Sequence, residues 1–163
     1  MNIEELLKKI AATEDCRLFQ AKGLPNTDIK HTLPKDIITF YEICGGAVLF
    51  EHADYPIYIV TPDEFTLANP VIVGELCEED ISSEWYITCT DGKGEYLTID
   101  LNESRKGQCY DSFFDRHGIV GETQIIATSF TDLIQRLLNN EGQHWYWLEK
   151  DFDYLGDAYD EVV

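Results

Sequence analysis

The chain has 163 residues, 44% of them hydrophobic and 12% aromatic, which suits one domain with its own core and excludes a disordered chain. Lys and Arg number 12 against 31 Asp and Glu, for a net charge of −19; such a field repels nucleic acid phosphate and anionic membranes and draws in a basic partner. No apolar run approaches the roughly 18 residues of a membrane helix.

Residues 3–13 read as a first helix. Asn2 is placed to cap it, Glu4 and Glu5 suit the positive end of its dipole, and Ile3, Leu6, Leu7 and Ile10 form its buried stripe. Acids precede lysines here and no cleavage site follows, so no secretory signal is expected. Residues 16–32 form a connector with Gly23, Pro25 and Asn26 as turn formers. Residues 33–44 make a second helix. Pro34 fits its first turn, Ile37, Phe40, Tyr41 and Cys44 share one face, and Gly45 is expected in the left-handed conformation that closes it. Gly46 then releases the chain into Ala47-Val48-Leu49-Phe50.

Short strands follow at residues 48–50 and 57–60. Thr61-Pro62-Asp63-Glu64 is a capping box that predicts a helix of one or two turns ending near Asn69. Residues 71–73 read either as a short strand or as an extended segment. From Trp85 the pattern becomes a β-meander: strands at 85–90 and 95–101 flank Asp91-Gly92-Lys93-Gly94, and further strands are expected at 108–113 and 124–127. Ser129 caps a last helix whose apolar face is Phe130, Leu133, Ile134, Leu137 and Leu138. Helices at both ends of an antiparallel sheet of about five to six strands give an α+β single domain over residues 1–148. Residues 149–163 form an acidic aromatic tail that either packs through its rings or stays mobile until bound.

The five cysteines, at 16, 44, 77, 89 and 109, are odd in number and lack Cys-x-x-Cys spacing, which points to reduced thiols and a cytoplasmic protein. His31, His52, His117 and His144 show no paired metal spacing, and the chain has no serine-hydrolase elbow and no phosphate-binding glycine motif. The run from Asp151 to Asp157 approaches a calcium loop, but Leu155 and Val162 occupy ligand positions. No cofactor, metal or catalytic role is expected. With so many acids, a pair of neighbouring carboxylates carries no information.

Acidic and aromatic clusters on loops are the candidate partner-binding residues. The first group is Glu75, Glu78, Glu79, Asp80 and Glu84; the second is Asp151, Asp153, Tyr154, Asp157 and Tyr159; the third is Asp54 and Tyr55. Trp85 reads as core, with an indole N–H that needs a partner.

An ordered set of pieces carries a resemblance. Leu33-Pro34 leads a helix with Phe40-Tyr41 and a Gly45-Gly46 stop; Asp63-Glu64-Phe65 and Ala68-Asn69 follow; then come an acidic loop, Trp85, the turn at 91–95, Gly107-Gln108-Cys109-Tyr110-Asp111, and Ala127-Thr128-Ser129-Phe130 before a Leu-rich helix. Over about residues 33–140 this resembles the SMI1/KNR4 family of the wider SUKH group. The resemblance implies an immunity protein that binds a basic toxin domain, often a nuclease, and blocks it. A second implication, drawn from fungal relatives, is a regulatory interaction module of the cell-wall or signalling kind. The absence of long disordered arms here favours the first. Nothing carries over to the tail.

Overall fold

Among the described residues, seven strands form one antiparallel sheet in which every strand pairs with its neighbours in chain order. The computed structural model describes residues 1–160. The strands are β1 (Arg17–Leu18), β2 (Ala47–Leu49), β3 (Ile57–Ile59), β4 (Trp85–Thr90), β5 (Tyr96–Asp100), β6 (Cys109–Asp111) and β7 (Ile125–Ala127). The helices are α1 (Ile3–Ala12), α2 (Lys35–Ile43), α3 (Ala68–Ile72) and α4 (Phe130–Asn140). The architecture is the expected α+β.

The α1 helix starts where its cap places it, with Asn2 Oδ1 accepting from the Glu5 N–H at 2.8 Å. Ser129 Oγ accepts from the Asp132 N–H at 3.0 Å and starts α4 in the same way. Both apolar stripes are buried. These helices pack with α2 as one layer on the sheet, with Phe40 of α2 edge-on to Phe130 of α4 at 5.1 Å.

Register fixes what each face carries. Trp85 faces Asp100 and Thr98 faces Tyr110, so these four side chains share one side, while Tyr86, Ile99 and Cys109 take the other. Phe65 lies stacked on Tyr86 and edge-on to Tyr41 of α2, which makes the Tyr86 side the helix side. The Trp85 side is closed by irregular segments: His117 lies edge-on to Trp85 at 5.6 Å, and the Tyr159 ring lies 6.1 Å from it.

Four expectations need correction. The sheet has seven strands because β1 lies inside the supposed connector; two residues carry no readable period, and pairing with β2 makes them a strand. Gly45 is not the left-handed residue. Gly46 has φ +118°, while Gly45 is needed for close approach, since a Cβ there would lie 2.1 Å from the Gln20 carbonyl oxygen. The capping box at Thr61 makes a turn instead of a helix start: Glu64 Oε1 does meet the Thr61 side chain at 2.8 Å, but the chain then extends so that Leu67 can bridge to Tyr86. The short helix begins afterwards, so Val71 and Ile72 are helical. Pro70 is tolerated within its first turn, where the missing N–H costs nothing.

Residues 156–158 lie beside the start of β7. The Ile125 N–H donates to the Gly156 carbonyl at 2.8 Å and the Ala158 N–H to the Thr123 carbonyl at 2.8 Å. Ala158 is buried, and Phe152 and Tyr159 are partly buried against the core.

Candidate partner-binding surface

The acidic segment 74–84 hangs from one side chain. Asn69 Nδ2 donates to the Leu76 carbonyl and to Ser82 Oγ, both at 2.9 Å. Asn69 Oδ1 lies 2.6 Å from His117 Nε2, which places the proton on that nitrogen. Asn69 and His117 are both buried. Burial drives the His117 pKa down to about 4, against a weaker opposing pull from Asp80. A neutral imidazole and an amide therefore fasten the acidic segment to the loop that carries His117.

The five acids of this segment divide by environment. Glu75, Glu78 and Glu79 are exposed, and among the described residues they form no ion pair. Asp80 caps the short 3-10 turn Ile81–Glu84, accepting from the Ser82 N–H at 3.0 Å and the Ser82 hydroxyl at 2.5 Å. It also accepts from the Tyr159 hydroxyl at 2.8 Å. Burial alone raises its carboxyl pKa; the bonds from Ser82 and Tyr159 outweigh this and hold it below the usual carboxylate range. Glu84 is engaged too, by Asn102 Nδ2 at 2.7 Å and the Arg105 guanidinium at 3.4 Å.

The tail group separates in the same way. Asp151 and Asp153 are exposed and share a shallow hollow with Arg136, whose guanidinium lies over the Tyr146 and Phe152 rings. Tyr154 is exposed. Asp157 is buried and accepts from the Gly121 and Tyr159 N–H groups, both at 3.1 Å. Tyr159 is half-buried, and burial, then its bond to Asp80, raises its hydroxyl pKa.

Asp54 and Tyr55 sit elsewhere. Tyr55 packs edge-on against His144 and Trp145. Its loop lies level with Thr90, because Tyr58 pairs with Thr90, whereas the acidic segment joins β4 at Trp85. The six residues of β4 span about 20 Å between these ends. The first two groups therefore meet at Asp80 and Tyr159, and the third stands apart.

Two buried carboxylates were invisible to the reading of surface acids. Asp100 Oδ2 accepts from Trp85 Nε1 at 3.1 Å, Arg105 Nε at 2.8 Å and the Tyr110 hydroxyl at 2.6 Å. Asp111 Oδ2 accepts from Arg116 Nε at 2.6 Å and Trp147 Nε1 at 3.0 Å. An aspartate at a strand end with an arginine five residues later, met twice, was the signal. Both sites are saturated internally and serve the fold.

A surface hollow of about 470 Å³ lies between Tyr58, Glu64 and Lys93 and is lined by no histidine, cysteine or serine. Among the described residues no group of three His, Cys, Asp or Glu side chains is arranged to hold a metal, and no helix is long and apolar enough to cross a membrane. The arrangement offers an exposed acidic surface on a rigid frame.

The chain is 77% identical over 162 residues to the immunity protein YokJ of Bacillus subtilis strain 168, covering 99% of this chain and 98% of that protein. Residues 27–136 match the model of the SMI1 / KNR4 family (SUKH-1). The chain belongs to the SMI1/KNR4 family (SUKH-1).

Proposed function

We propose that this chain is an immunity protein that binds a toxin domain with a basic surface, a nuclease, and neutralises it by covering its active site or substrate groove. The observation that carries this reading is the near full-length 77% identity to a protein named for immunity. The charge supports it. A nuclease holds its substrate through cationic side chains, and from Asp36 to Gly92 this chain has no lysine or arginine at all. An acidic surface satisfies those cations and stands where phosphate would lie. The chain acts by occupancy, without catalysis, in the cytoplasm, where its free thiols stay reduced.

The test is growth protection. The C-terminal domain of the toxin gene beside this chain's own gene is induced in cells with and without the chain. Survival only with the chain, together with a 1:1 complex on gel filtration, supports the reading. Equal killing in both strains ends it.

A further inference from the structure

We infer that the toxin is gripped by a mixed apolar and acidic surface on the side of the sheet away from α1, α2 and α4, built from α3, the segment after it and the loop at 118–122. This rests on the immunity reading above and adds the face and its anchors.

Val71 and Val73 are 49% and 52% exposed on and just after α3; Ile119 and Val120 are 46% and 73% exposed on the opposing loop. The two pairs flank one contact, because His117 is bonded to Asn69 of α3. The Tyr159 hydroxyl closes the same neighbourhood. It bonds Asp80 at 2.8 Å, and a Cβ on Gly118 would lie 3.9 Å from it. Four exposed β-branched side chains thus lie on the two segments that meet at Asn69 and His117. Each has few rotamers to lose on binding.

The charged side chains of the two stretches are of one sign. Glu75, Glu78 and Glu79 follow Val73 directly, and Glu122 follows Val120. All four are exposed, and no lysine or arginine lies within either stretch, 71–80 or 118–122. A basic face with an apolar centre complements this surface. A nucleic acid or an anionic membrane is repelled by it, and a second copy of the chain would set acid against acid. The occupant is therefore the cationic substrate face of the toxin, with the valines and Ile119 filling its centre and the glutamates meeting its lysines and arginines. Asn69 holds the acidic segment in place beforehand, so little ordering is needed on docking.

The test uses the full chain and the neighbouring toxin domain carrying an inactivating substitution, with affinity and on-rate read by surface plasmon resonance. Val73→Asp with Val120→Asp is expected to weaken binding at least thirtyfold through a faster off-rate. Glu78→Lys with Glu79→Lys is expected to slow association at least tenfold at low salt. Glu14→Lys with Glu42→Lys makes the same charge change on and beside the helical layer and is expected to stay within twofold of the parent. All six positions are exposed, and circular dichroism checks that each variant folds. If the parent binds and both surface variants bind as it does, this surface is wrong and the immunity reading stands. The same holds if the control pair loses as much as the surface pairs. If the parent binds no toxin domain, both readings fall.

Discussion

The Tyr159 hydroxyl donates to Asp80 Oδ2 at 2.8 Å, joining two segments 79 residues apart in the chain. One is the acidic run before β4 and the other is the end of the tail. A hydrogen bond to a charged group contributes about 1.5–3 kcal/mol. Tyr159→Phe keeps the ring against Trp85 and removes only this bond. Its unfolding free energy is expected to fall by about 1–2 kcal/mol, with faster amide exchange concentrated in residues 75–84. Unchanged exchange there would show that Asn69 alone holds the segment.

Protonation of His117 opposes folding. Its pKa is about 4 in the folded chain against an ordinary 6.5, so the unfolded chain binds more protons between these values. Stability is then full above about pH 6.5 and falls as pH drops toward about 4, by at most about 3 kcal/mol. His117→Gln retains a donor for Asn69 and lacks the titration. Its denaturant midpoint is expected to vary less across this range than the parent's; parallel pH curves would refute the assignment.

Removing Asp100 takes away the nearer carboxylate of Arg105, which keeps only the longer contact to Glu84, orphans the Trp85 N–H, and leaves the Tyr110 hydroxyl with Gln108 alone. Asp100→Ala is expected to cost about 3–5 kcal/mol. Exposed Glu79→Ala is expected to stay within about 0.5 kcal/mol of the parent. Urea denaturation of the pair measures the contrast, and a similar loss in both would contradict the division between inner and outer carboxylates.

Gly45→Ala drives a Cβ into the Gln20 backbone, which has no flexible end to move aside. A loss of about 3 kcal/mol or more is expected. Gly23→Ala, at φ +93° but with open space around it, is expected to lose only about 1 kcal/mol. Thermal melts separate the two, and equal shifts would mean that backbone conformation, not space, decides.

Thiol reactivity follows burial. Cys89 and Cys109 are completely buried and Cys44 nearly so, and desolvation raises all three thiol pKa values. An aromatic disulfide reagent is expected to label Cys77 first and Cys16 more slowly, and the other three only in denaturant. Rapid native labelling of Cys109 would contradict its burial beneath Ser129 at the start of α4.

Much of this fold was legible because its main signals are local. Asn2 and Ser129 mark helix starts by their own side chains, and the stripes of α1 and α4 repeat at helical spacing. What escaped depends on distant partners. Nothing in Arg17-Leu18 distinguishes a strand from a loop until Ala47 and Val48 lie beside it. The Thr61 and Glu64 side chains do meet, yet pairing of Leu67 with Tyr86 overrode the helix that the capping box predicts. The candidate surface was legible in the same measure. Acid runs point to loops, but composition does not tell the free carboxylates of Glu75, Glu78 and Glu79 from Asp80, Glu84 and Asp157, which are occupied within the chain. That distinction lies in Ser82, Arg105 and Gly121, three residues with no reason to stand out in sequence. Val71, Val73, Ile119 and Val120 went unmarked because single apolar residues on loops are ordinary; only the meeting of their two segments at Asn69 and His117 sets them apart.

Backbone bonds from Ile125 to Gly156 and from Ala158 to Thr123 make the tail the selvedge of the sheet. A terminal strand with bare N–H and C=O groups is a template on which another chain can knit. With residues 156–158 laid beside it, the start of β7 presents no such seam. The segment that in sequence looks most detachable is the one that hems this end of the sheet.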